Sequence, residues 1–258
     1  MSTLRLDRLS ALLEGLCPRV SLILREPASG FCLHIVRHLT PSPQPEQASA
    51  PVAVDAMRLL VCPAGHALLD HLVPGEQAWM GFEVRFDGPV GPAFLAEFKD
   101  AMAIPIQAAD PSLAQIVQLI AREMQTNRCG QPLLMDRAGD ILLIGLMRHL
   151  IARPQNATGL FTALSDPRIA KSLVALHTDT GRSWTLESLA EVAGMSRTAF
   201  ASHFKEIMRV SPGKYLEGLR LAIARQMVGS GLGLKQIAQK TGYASASTLS
   251  RAMGRRVA

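Results

Sequence analysis

The 258-residue sequence predicts an α+β chain, with a small β-barrel or sandwich and flanking helices first and an all-α unit last. Three observations predict it. Short runs rich in Val, Ile, Leu and Phe, separated by glycine and proline, fill the first 87 residues. Two long segments of helical periodicity follow, and the last third carries two copies of one helix-turn-helix pattern.

The strand-like runs are VSLILRE from Val20, FCLHIVRHL from Phe31, MRLLVCP from Met57 and WMGFEVRF from Trp79. Several short strands with such punctuation suit a small barrel or sandwich. Between the second and third, TPSPQPEQASAP (residues 40–51) has too much proline and polar side chain for a strand and reads as an exposed loop. The first helix, Pro111 to Met124, sets Leu113, Ile116, Val117, Ile120 and Met124 at helical spacing. The second, Pro132 to Pro154, is apolar on more than one side. That excess predicts a second copy of the chain against Leu133, Ile141, Leu142, Ile144, Leu146 and Leu150, unless these residues cover the barrel of their own subunit. A change of character at RPQNATGL and SDP then divides the chain into domains 1–155 and 156–258.

The first copy of the repeated pattern is TLESLAEVAGMSRTAFASHF, Thr185 to Phe204. Leu186, Leu189, Ala190 and Ala193 fall at i, i+3, i+4 and i+7, so one face of a helix is apolar. Thr185 is its cap, Gly194 its left-handed end, Met195 the turn plug and Ser196 the cap of the next helix. That helix buries Phe200 and Phe204 and turns its other side outward. The second copy, LKQIAQKTGYASASTLSRAM, Leu234 to Met253, repeats the scheme with Leu234, Ile237, Ala238, Leu249 and Met253 inward and Gly242 at the turn. Ser211-Pro212 opens a helix between them that runs to about Val228, roughly 27 Å at 1.5 Å per residue. A rod of that length suits two recognition helices set about one DNA turn, roughly 34 Å, apart.

Charge is distributed to match. Residues 159–258 hold 14 Lys and Arg against 6 Asp and Glu, whereas residues 1–158 hold 13 against 15. The positive field therefore gathers where the repeated pattern lies, as a phosphate-binding surface requires. Its expected contributors include Arg168, Lys171, Arg182, Lys214, Arg220, Arg225, Lys240 and Arg256. The amino terminus mixes Arg5, Asp7, Arg8 and Glu14 with its leucines, unlike a signal peptide, and the most apolar run, Ile141 to Met147, is too short to span a bilayer. A cytoplasmic location with no membrane partner is the expectation, and Cys17, Cys32, Cys62 and Cys129 are expected as reduced thiols.

The segments TLESLAEVAGMSRTAFASHFKE, SPGKYLEGLRLAIARQMV and LKQIAQKTGYASASTLSRAM resemble the two-motif DNA-binding domain of AraC-type bacterial transcription regulators. The first half resembles, more loosely, the cupin-like sensor domain of a subgroup of that family. The resemblance implies a cupin-like β-barrel with flanking helices followed by a double helix-turn-helix domain. It implies double-stranded promoter DNA as partner, a homodimer through the amino-terminal helices, a small-molecule effector, and contact with RNA polymerase.

By the resemblance, Thr198, Ala201 and Ser202 reach bases in the first motif. The residues add Arg197 and Arg251, the two side chains with the reach and fork to hold guanine O6 and N7. Ala246, Ser247 and Ser250, with Thr248, supply weaker contacts, and Lys205 and Arg255 supply phosphate contacts. Most of these side chains are short, so DNA shape is expected to share in specificity. Two departures from the family stand out. The sequence ends soon after the second recognition helix, and Leu249 and Met253 occupy positions where aromatic residues are usual, which thins the second motif's core.

No cofactor can be named. Cys32 and His34, two apart on a strand, with Cys62, His66 and His71 nearby, are the metal candidates. Against them, the His-x-His, glutamate and later histidine of metal-binding cupins are missing, so the expectation is no metal and no enzyme. Trp79, Phe82, Arg58 and Arg85 are candidate lining for an organic effector. Two other readings compete with a one-component regulator: a cupin-like metal-dependent enzyme, and a ligand-free dimeric DNA-binding factor.

Overall fold

A computed structural model describes residues 7–23, 30–38, 57–125, 128–229 and 231–254. The loop expected at 40–51 and the basic residues Arg255 and Arg256 lie outside them. The chain folds as two compact units that do not follow its order. One comprises residues 18–85 and 98–152; the other comprises 1–17, 86–97 and 153–258.

The first unit is built on an antiparallel sheet. Its strands are β1 (Pro18–Leu22), β2 (Phe31–His38), β3 (Met57–Cys62), β4 (Glu76–Phe86) and β5 (Met102–Pro105), in the order β1-β4-β2-β3-β5. In the central strand β2, Leu33 lies opposite Val61 and Phe82, and Ile35 lies opposite Leu59 and Met80. These buried side chains make one apolar face. Two helices complete this unit, α3 (Pro111–Glu123) and α4 (Gln131–Ala152). Helix α4 lies close on the sheet: a Cβ at Gly139 would sit 2.6 Å from Val20 Cγ1 and 2.7 Å from Phe82 Cδ1. Gly145 packs as tightly on Ile116 of α3. Asp110 caps α3, accepting from Ser112 N–H at 2.9 Å, and its own N–H donates to buried His149 Nδ1 at 3.2 Å.

This arrangement corrects the expected closed barrel. The described residues form one open sheet, because α4 rather than a second layer of strands covers its apolar face. It also divides the apolar residues of α4. Leu142, Leu146 and Leu150 are buried within their own unit, while Leu133 is 64 % exposed and Ile141 43 %. No helix among the described residues is long and apolar enough to cross a membrane.

The second unit is helical. It contains α1 (Arg8–Leu16), α2 (Gly91–Leu95), α5 (Leu160–Ser165), α6 (Pro167–Thr178), α7 (Leu186–Ala193), α8 (Arg197–Met208), α9 (Pro212–Val228), α10 (Leu234–Lys240) and α11 (Ala246–Gly254). Asp7 caps α1 and Asp166 caps α6, each by accepting from two backbone N–H groups. The two amino-terminal segments are integral to this core. Arg8 Nη1 donates to Leu164 O at 2.8 Å, Glu97 Oε1 accepts from Leu160 N–H at 2.9 Å, and the buried Phe94 ring meets Phe161 edge-on at 5.7 Å. Gln226 of α9 donates to Asp87 O at 2.7 Å.

Candidate nucleic-acid interface

The first helix-turn-helix forms as its sequence dictates. Thr185 Oγ1 accepts from Ser188 N–H at 3.1 Å and Ser188 Oγ accepts from Thr185 N–H at 3.0 Å, a reciprocal cap on α7. Gly194 takes φ +68° and ends the helix, and Ser196 Oγ accepts from Ala199 N–H at 3.3 Å to open α8. Phe200 and Phe204 are fully buried, 5.6 Å apart, and Phe204 stacks edge-on against Tyr215 of α9 at 5.8 Å. Arg197, Thr198, Ser202 and Lys205 are exposed on the opposite side of α8, and Ala201 is half-buried among them.

The second motif has the same skeleton. Ile237, Ala238 and Leu249 are buried with Ala224 of α9, and Met227, Leu232, Tyr243 and Met253 close the cluster. Leu234, expected inward, is 44 % exposed, and Leu232 ahead of the helix packs against the cluster. Ser245 Oγ accepts from Thr248 N–H at 3.1 Å and lies 2.8 Å from Ser247 Oγ and 2.9 Å from Thr248 Oγ1. Ser247, Ser250 and Arg251 are exposed on α11, with Ala246 half-buried at its start. Arg255 lies outside the described residues.

Several polar contacts that sequence reasoning did not foresee hold these helices in place. Arg220 of α9, expected at the phosphate surface, instead donates to Thr180 O at 3.0 Å and Arg182 O at 2.7 Å. Its guanidinium sits directly under the second turn, 2.7 Å from where a Gly242 Cβ would stand. Burial lowers its pKa from the ordinary arginine value. Asp166 ties α6 to α8, with Oδ2 2.6 Å from His203 Nε2 and 3.3 Å from Arg168 Nη2. Burial works to raise this carboxyl, and the hydrogen bonds of His203, Arg168 and the helix backbone outweigh it, holding it well below the usual carboxylate range. His177 of α6 meets Tyr215 Oη at 2.8 Å. Burial pushes His177 down to about 4, and burial together with the Glu97 charge pushes Tyr215 up. Apart from Asp166 with Arg168, two residues apart, these pairs have no local sequence signature, since their members are 37 to 40 residues apart.

One base-reading candidate has a partner inside the protein. Arg197 Nη1 lies 2.7 Å from Glu187 Oε1 on α7, both side chains being solvent-exposed. Solvent screens an exposed pair of this kind, so it orients Arg197 while leaving the side chain able to exchange Glu187 for an acceptor on DNA.

In the other unit, the sheet face away from α4 gathers polar groups. Arg58 pairs with Glu76 and donates to His71 O at 3.2 Å, while Glu76 also accepts from Val73 N–H at 3.0 Å. His66 Nδ1 and His71 Nε2 are 3.4 Å apart. Cys32, His34 and Cys62 share this face, but no group of three or more His, Cys, Asp or Glu among the described residues is placed to hold a metal ion. The candidate effector lining does not converge. Phe82 faces α4, Trp79 lies under Arg37 at 5.4 Å, and Arg85 is exposed beside Glu83 at 3.0 Å.

Comparison with known proteins agrees with both halves. Residues 3–152 match the family described as "Cupin", and residues 189–258 match "Helix-turn-helix domain". The HTH-type transcriptional regulator AlkR of Acinetobacter baylyi is 36% identical over 137 residues, 53% of this chain and 45% of that protein. A putative AraC-like transcription regulator of Streptomyces lividans is 35% identical over 153 residues, 57% of this chain and 50% of its own length. The match thus spans about half the length of these relatives. Among solved structures, ToxT of Vibrio cholerae aligns over 92% of this chain and 91% of its own, at 10% identity and a TM-score of 0.37, too low to carry any inference about ligands. With a cupin match over more than half its length, the chain belongs to the cupin family, and its last part carries a helix-turn-helix domain similar to those of AraC-like transcription regulators.

Proposed function

We propose that this protein is a one-component transcription regulator that binds double-stranded promoter DNA through α8 and α11. The carrying observation is the two-sided build of both helices. Each is anchored by buried side chains on one face, Phe200 and Phe204 or Leu249, and offers short polar residues with one arginine on the other. Both sit in the part of the chain with a net charge of +8. In this reading Arg197 and Arg251 read guanine, and Thr198, Ala201, Ser202, Ala246, Ser247 and Ser250 make short contacts to base edges and thymine methyls. Lys205 and Arg255 neutralise phosphates. Helix α9, 17 residues and about 25 Å long, spaces the two motifs.

Residues 1–155 then act as sensor and dimerisation domain, and residues 156–258 as DNA-binding domain. The exposed Leu133, Leu134 and Ile141 of α4 support pairing with a second copy in the cytoplasm. The polar sheet face around Arg58 and Glu76 is the place for a small-molecule effector, and RNA polymerase is the downstream partner. An enzymatic role finds no support in the regulators this chain resembles. Fluorescence anisotropy of labelled duplexes titrated with protein at rising salt tests the proposal. The logarithm of affinity should fall linearly with the logarithm of salt, and the fall should be offset upward for a preferred sequence. No salt-sensitive binding to any duplex would overturn it.

A further inference from the structure

We infer that Cys32 and Cys62 form a peroxide-oxidisable dithiol that locks β2 to β3 as a reversible disulfide. Strands β2 and β3 are antiparallel, and their register sets Cys32 directly opposite Cys62. Directly opposed residues in such a pair have Cα atoms about 4.5 or 5.5 Å apart, inside the roughly 4.4–6.8 Å that disulfides span. Both side chains belong to one buried cluster with Val36 and Leu60, so the sulfur atoms are on the same face of the sheet. Cys32 Sγ lies 3.5 Å from Gly30 O, and neither cysteine is in a disulfide.

Access is the requirement that burial imposes. The two residues are 3 % and 2 % exposed, which excludes bulky reagents and favours an oxidant the size of hydrogen peroxide. Among the described residues, the half-buried hydrophobics packed against them are Ile23, Leu68 and Leu72, and Leu68 belongs to a short 3-10 turn whose next residue, Leu69, is 79 % exposed. One thiolate attacks a peroxide oxygen, the O–O bond breaks, and a sulfenic acid and water form. The facing thiol then displaces the sulfenic oxygen as a second water, leaving the S–S bond, so that two thiols and one peroxide give one disulfide and two waters. A bond held between paired strands is constrained by the ladder, which makes it reducible by small dithiols. The exposed Cys17 and Cys129 have no such partner opposite them.

The test uses the full chain with Cys17→Ser and Cys129→Ser, treated with hydrogen peroxide, alkylated, and digested by trypsin without reduction. The expected product joins peptide 26–37 to peptide 59–85, lighter by two hydrogens than their sum, and disappears after dithiothreitol. Cys32→Ser should abolish it and leave Cys62 as a sulfenic acid that dimedone traps. The wild-type chain serves as control for folding. Complete oxidation of Cys17 and Cys129 in it, with Cys32 and Cys62 both still alkylated after unfolding, would overturn the inference. So would links from either residue to any other cysteine in preference to each other.

Discussion

The two turn glycines occupy equivalent places in the repeated motif, yet the structure predicts unequal costs for replacing them. Gly194 and Gly242 both have left-handed backbones, φ +68° and +72°. For any L side chain that conformation costs about 1–2 kcal/mol. An alanine recovers about 0.4–1 kcal/mol by restricting the unfolded chain, which leaves a penalty of about 1 kcal/mol. At Gly194 nothing lies within 4 Å of the added Cβ, so the cost stops there. At Gly242 the Cβ would stand 2.6 Å from Gly181 O and 2.7 Å from Arg220 Nη2. To make room, Arg220 must give up its bonds to Thr180 O and Arg182 O, and hydrogen bonds to a charged group are worth about 1.5–3 kcal/mol each. The expected penalty for Gly242→Ala with both bonds lost is therefore about 4–7 kcal/mol. Urea unfolding followed by fluorescence measures both, in a Trp79→Phe background where Trp184, donating from Nε1 to Asp179 O at 2.7 Å, reports the helical unit alone. Equal midpoint shifts, or a larger one for Gly194→Ala, would refute the clamp described for Arg220.

Other outcomes follow from the same geometry. Arg251→Ala should relax preference at one base pair and cost about 1–3 kcal/mol on the cognate site; unchanged discrimination would remove its assigned role. Lys205→Ala should instead weaken all sequences alike and reduce the salt slope by about one, which anisotropy titrations at several salt concentrations resolve. His177 has its pKa depressed from 6.5 to about 4 in the folded chain, so the unfolded state takes up a proton first on acidification. The stability this contributes is complete above about pH 6.5 and drains away towards pH 4, by about 3 kcal/mol in all. Urea midpoints across that window should fall less steeply for His177→Gln, and an identical decline would contradict the assignment. Leu133→Lys with Ile141→Lys should convert a dimer to a monomer in light scattering while circular dichroism shows the chain still folded, because both side chains are exposed within their own subunit.

The helix-turn-helix pair was legible in the sequence because its determinants are local. Thr185, Gly194, Ser196 and the Phe200–Phe204 spacing act within one or two helical turns, and the structure places each as expected. Leu234 misled because a leucine at a helix start satisfies the same periodicity as a core residue, while Leu232, outside the helix, does the packing. The four strand-like runs located β1 to β4, but β5 escaped: Met102–Pro105 is four residues long, sits at the sheet edge and has no clear alternation. What the sequence could not show is any contact between distant segments. Arg220 beneath Gly242, Asp166 with His203, and the packing of α1 and residues 86–97 into the helical unit all depend on tertiary geometry. The resemblance to cupins suggested closure into a barrel, and only the approach of α4 through Gly139 shows a helix in the place of a second strand layer.

Selection of bound duplexes from a random library by the full-length protein addresses most directly whether α8 and α11 enter successive major grooves. The account predicts enriched sites with two short blocks centred about 10 base pairs apart. It also predicts that Arg251→Ala lowers the information at one position of one block and leaves the other block intact. A single block, blocks at unrelated spacings, or enrichment that survives loss of either helix's outward residues would contradict it.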